Sequence, residues 1–224
     1  MTAIRTKYLR LSVEKNALDY LSKSVRFIEE AESDPIAWKW VINSLHSALY
    51  GFAIAALQGT NPDNVTTQLK SGREKLISFH DALMRSQDPR FMRMLSTSQT
   101  LVLTDDQKRS IRFLKDVFRN SFEHFIPRGW SIEIHGFPQM AIDVLDAIRF
   151  LALDSGNYIN LSTSEERKVN SLIFRAKRRL RLSKLYKEAK IATSQARGAG
   201  SSQTACPATR GARSPDRRRK FRIG

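Results

Sequence analysis

The residues best suited to chemistry are Arg119 and His124, the two ends of the run Arg119-Asn120-Ser121-Phe122-Glu123-His124. Histidine titrates near neutral pH, so it can take or give a proton under ordinary conditions. Arginine carries a permanent charge on a planar fork that matches the oxygens of a phosphate. Asn120 adds an amide between them. The same residues also fit a plainer reading. Arg119 and Glu123 are four apart and can form a surface ion pair worth a few tenths of a kcal/mol. A histidine at a helix end is favourable against the negative end of the helix dipole. Residue types alone leave both readings open.

These side chains must be positioned by a helix. Thr104-Asp105-Asp106-Gln107 provides an N-cap, acidic first-turn residues and Gln at the capping-box position. The helix should run from Thr104 to about Phe125, where Pro127 and Gly129 stop it. At about 100° per residue, Ile111, Leu114, Phe118, Phe122 and Phe125 fall on one core-facing arc. Arg119 lies about 100° to one side of that arc and His124 about 120° to the other, which frees both from packing. They also diverge by about 140° from each other, so one chain alone is a poor way to assemble them.

Other candidates surround this run. Arg128 and Trp130 follow the helix end, where the arginine can meet a phosphate and the indole can stack on a base. The alternative is a loop arginine and a tryptophan covering the core. On an earlier helix, Asn43, His46 and Tyr50 line up at i, i+3 and i+7, as a polar network facing the motif helix or as satisfied buried polar groups. His80 and His135 have no supporting constellation. The four histidines lack a spacing that would put two ligands on one helical face, and Cys206 is the only cysteine. No metal, cofactor or disulfide framework is expected.

Helical periodicity dominates the rest of the chain. Helices are expected over Leu11–Ala31, Ile36–Leu57, about Thr67–Arg85, Thr104–Phe125 and about Pro138–Leu153. Ser33-Asp34-Pro35 and residues 59–64 separate the first three. This predicts an all-α fold, an antiparallel four- to five-helix bundle with a basic C-terminal extension. The second helix is very apolar, yet it contains Asn43, Ser44, His46, Ser47 and Tyr50, and reads as the buried centre of a bundle. The N-terminus lacks the apolar stretch of a signal peptide, so a cytoplasmic location without membrane contact is expected.

Charge is uneven. The chain carries +16, but residues 165–224 hold 18 of the 38 basic residues and 4 of the 22 acidic ones. The remainder is nearly neutral. The basic character therefore points to nucleic acid for the C-terminal quarter, not for the bundle. The expected organisation is a bundle over 1–160, a basic helical extension over 161–192 and a disordered basic tail over 193–224.

The run Arg119 to His124, late in an all-α bundle, resembles the RNxxxH signature of the HEPN superfamily. The likeness extends over roughly residues 8–155. It implies a metal-independent endoribonuclease, acting in defence or as the toxin of a toxin–antitoxin pair. In that reading His124 moves the proton of the 2′-hydroxyl or of the leaving oxygen. Arg119 stabilises the charge on the phosphorane-like transition state, and Asn120 orients the site. The products would be a 2′,3′-cyclic phosphate and a 5′-hydroxyl. Members of the superfamily form symmetric dimers with two motifs across a cleft, so a homodimer with a shared site is expected. Their usual partner is a nucleotidyltransferase-type antitoxin. The alternatives are a catalytically inactive module that binds RNA or nucleotide, and a structural helical interaction domain.

Overall fold

The computed structural model describes residues 8–59, 61–69, 71–117, 122 and 131–200, with side chains described as far as 195. Among the described residues the fold is all-α apart from one small hairpin. By contacts the chain divides into two units, residues 1–189 and 190–224.

Helix α1 spans Val13–Glu30 and starts where the Ser12 hydroxyl accepts the Lys15 N–H at 3.2 Å. Its apolar stripe Leu18, Leu21, Val25 and Ile28 is buried. The chain turns through Asp34, whose carboxylate accepts the Ile36 N–H at 2.9 Å, and α2 follows over Ala37–Gln58. Fourteen of its residues are buried, because packing surrounds it on most sides. By length and composition α2 could cross a membrane, yet 67% of its most apolar stretch is buried inside the fold. Gly51 explains how closely α1 approaches. A Cβ there would lie 2.8 Å from the Ala17 Cβ.

The helix expected over Thr67–Arg85 does not form as one element. A 3₁₀ turn, Pro62–Val65, leads into β1, Thr66–Gln68, which pairs antiparallel with β2, Glu74–Leu76. Gly72, at φ +77°, makes the reversal that a continuous helix would forbid. The threonines at 66 and 67 favour the strand. Leu69 and Leu76 are 44% and 46% exposed. Helix α3 begins only at Phe79 and ends at Ser86, opened by reciprocal bonds between Ser78 and Asp81. A short helix, α4, covers Pro89–Met92.

Helix α5 is described over Asp105–Val117. Thr104 and Gln107 form the reciprocal cap anticipated from sequence, with bonds of 3.0 and 3.2 Å. Ile111, Leu114 and Val117 are buried. Helix α6, Phe137–Arg149, continues into a π-helical turn, Phe150–Asp154. Its inward residues Ala141, Val144, Leu145 and Ile148 are fully buried.

Helix α7, Thr163–Leu182, opens on a Ser162–Glu165 capping box. It packs against α1 and α6 within the first unit, burying Val169, Leu172, Ile173, Ala176 and Leu180. Arg175 pairs with Glu29 at 3.1 Å, Arg179 with Glu32 at 2.7 Å, and Lys177 with Asp146. Helix α8 covers Lys184–Gly200. Residues 193–200, expected in the basic tail, are thus the last turns of α8.

Candidate functional site

Helix α5, whose sequence runs on toward Arg119, is held in place by the common core and by α6. Its buried stripe Ile111, Leu114 and Val117 joins the common core. Its polar flank meets α6, where the Ser110 hydroxyl donates to one oxygen of the buried Asp143. The Gln139 amide donates to the other oxygen at 2.8 Å. The Ser110 bond ties α5 to α6, and the Gln139 bond, within α6, satisfies the other oxygen of the buried carboxylate. Nothing in the sequence announces Asp143, because it sits among the apolar residues Ile142, Val144 and Leu145.

Another side of α5 faces α3 across an open groove of about 350 Å³. Lys108, Arg112 and Lys115 line it from α5, and His80 and Met84 line it from α3, over a floor that includes Phe79 and Ile111. Lys108 is paired with Asp105 at 3.2 Å, and Lys115 lies 3.7 Å from Asp116. The groove is thus cationic but partly neutralised. Lys108, Arg112 and Lys115 stand at i, i+4 and i+7, one stripe of an α-helix. That spacing is readable in the sequence, and it was the signal that could have found them. It also gives His80 the neighbours that sequence reasoning could not supply.

The predicted site residues Arg119, Asn120 and His124, with Arg128 and Trp130, lie outside the described residues. Phe122, inside the same run, is described: it is half-buried and packs against the core.

Of the stripe Asn43, His46 and Tyr50, the last two meet α3 and the segment before it. His46 stacks on Phe79, and burial depresses its pKa from 6.5 to about 4. It is neutral at pH 7 and too weak a base to be mainly protonated there. The Tyr50 hydroxyl donates to the Ile77 carbonyl, and burial together with the charge of Asp81 pushes its pKa up. The Asn43 Oδ1 is buried without a hydrogen-bond partner. His46 and Tyr50 thus act in packing α2 against α3. His135 is exposed and lies 3.7 Å from Glu133. Among the described residues no three His, Cys, Asp or Glu side chains gather as a metal site.

No protein-family profile, no curated protein and no solved structure matches this chain.

Proposed function

We propose that this chain is a HEPN-type RNA-processing module: a metal-independent endoribonuclease in which Arg119 and His124 act on the phosphodiester and Asn120 orients it. The observation that carries the reading is the groove beside α5, lined by Lys108, Arg112, Lys115 and Asp116, in which Arg112 is the cation without an ion pair among the described residues, on the helix whose sequence runs directly on to Arg119. Such a groove attracts a polyanion to the side of the helix that leads to the motif. The packing of α1, α2, α6 and α7 around one core supports a helical bundle as the framework, with α7, expected as a basic extension, among its packed helices.

In this mechanism the neighbouring 2′-hydroxyl attacks phosphorus, and the 5′-oxygen of the next nucleotide leaves. His124 takes the hydroxyl proton or supplies one to the leaving oxygen, and water makes the other transfer. Arg119 meets the charge gathering on the non-bridging oxygens. Because the two side chains diverge on an ideal helix, a homodimer supplies the arginine and the histidine of each site from two chains. Arg128 and Trp130 would contact the flanking phosphate and base. A cytoplasmic setting and a nucleotidyltransferase-type antitoxin belong to the same reading. The groove serves equally a module that binds RNA without cutting it.

The test is cleavage of single-stranded RNA in excess chelator. The expected products end in a 2′,3′-cyclic phosphate and a 5′-hydroxyl, and a single 2′-deoxy substitution at the cut position should block that cut. Cleavage that survives the substitution would overturn the mechanism.

A further inference from the structure

Helix α7 presents two kinds of cation. Arg175, Lys177 and Arg179 are taken up by Glu29, Asp146 and Glu32 on α1, on α6 and just beyond α1. Arg178 and Arg181, on the outer side, make no ion pair among the described residues and are exposed. With Asn170 and Phe174 they stand at 170, 174, 178 and 181, one stripe of the helix. The Phe174 ring is 68% exposed. This stripe borders a groove of about 520 Å³, closed on its far side by Arg149 at the end of α6 and lined also by Lys177. The acidic groups nearby are Asp146, bound to Lys177, and Asp154, 3.6 Å from Arg149, so the groove keeps a net positive charge from Arg178 and Arg181.

A large aromatic ring in water on a helix of arginines contributes nothing to the core. It suits a ligand that is flat, apolar on its faces and strung on anions. We propose that this groove binds single-stranded nucleic acid, with Phe174 stacking on a base and Arg178 and Arg181, one and two turns further along the helix, holding successive phosphates to one side of it. Every base offers a face to stack on, so the site tolerates sequence, and Asn170 can reach a base edge. A lipid surface is the poorer fit. Phe174 and Leu182 are the large apolar side chains exposed along this groove, too little for a helix lying in a bilayer interface. The site needs neither Arg119 nor His124 and stands whether or not the chain cuts RNA.

The test uses the full chain and labelled oligonucleotides of about 12 nucleotides, a length within the usual span of one binding module. One is DNA and the other is 2′-O-methyl RNA, neither of which can be cleaved through a 2′-hydroxyl. Binding of either supports the site, and a preference names the sugar it reads. Phe174→Ala should weaken binding about fivefold or more, and Phe174→Tyr should keep it. Arg178→Gln with Arg181→Gln should lower the slope of log affinity against log salt by about 1.4, near 0.7 for each phosphate left without its arginine. Arg217→Gln with Arg218→Gln removes the same charge from the tail and should cost less. Three results would overturn the proposal: unchanged affinity in Phe174→Ala, an equal loss from the tail pair, or tighter binding to phosphatidylserine vesicles with the same dependence on Phe174. The helical circular dichroism of each variant confirms that these exposed substitutions leave the fold in place.

Discussion

The imidazole of His46 on α2 lies against the ring of Phe79 on α3, with centroids 4.2 Å apart and planes 27° from parallel. The stack holds a titratable group in a place that disfavours its charge. In the unfolded chain His46 takes a proton near pH 6.5, whereas in the fold it resists until about pH 4. Above pH 6.5 both states are neutral and His46 contributes no pH dependence. Below it the unfolded state gains the proton first, and stability falls with a slope approaching about 1.4 kcal/mol per pH unit until the folded pKa is reached. Urea unfolding on both sides of pH 6.5 should show this acid limb, and His46→Phe should flatten it while keeping the stack. An identical limb in the variant would assign the loss to other groups.

Tyr50 ties α2 to the chain entering α3 through its bond to the Ile77 carbonyl. Tyr50→Phe keeps the edge contact with Phe79 and deletes the donor alone. The expected loss is about 1 kcal/mol, the usual cost of leaving such an acceptor unpaired. Chemical denaturation with an unchanged slope against denaturant is the measurement.

Gly156 has φ +71°, and a Cβ there would meet the Thr97 carbonyl oxygen at 2.7 Å. Both the backbone conformation and the space exclude a side chain. Gly156→Ala should cost roughly 2 kcal/mol, chiefly from strain. Gly51→Ala should also destabilise, by roughly 1–3 kcal/mol, because it drives α2 away from α1 at Ala17. Thermal unfolding of the two variants checks both.

The helices and their buried faces were readable because long apolar periodicities recur at helical spacing. Leu18, Leu21, Val25 and Ile28 illustrate this on α1, as do Ala141, Val144 and Leu145 on α6. The hairpin was not readable. Its strands are three residues long, and Leu69, Leu76, Phe79 and Leu83 mimic a helical stripe whose first two members stay exposed. The conformation of Gly72 decides that segment, and a period count does not weigh it. The groove beside α5 was not readable for another reason. Lys108, Arg112 and Lys115 form a legible stripe, but their meeting with His80 depends on how α3 packs. Asp143 carries no sequence signal, since its burial follows from Ser110 and Gln139 reaching it.

The shared-site arrangement makes its own prediction. Sedimentation should give twice the 25.6 kDa chain mass. Mixing inactive Arg119→Ala with inactive His124→Ala chains, with subunit exchange, should restore part of the cleavage, because one of the two sites regains both residues. Mixed chains that exchange and stay inactive would place both groups in one chain.

The most direct measurement is RNA cleavage in excess chelator by cleanly purified wild type, His124→Ala and Arg119→Ala. The account predicts cleavage by the wild type and a loss of at least about a hundredfold for His124→Ala, the usual contribution of a positioned proton-transfer group. Arg119→Ala should lose a comparable factor, from the stabilisation of transition-state charge. Wild-type rates in both variants would contradict it.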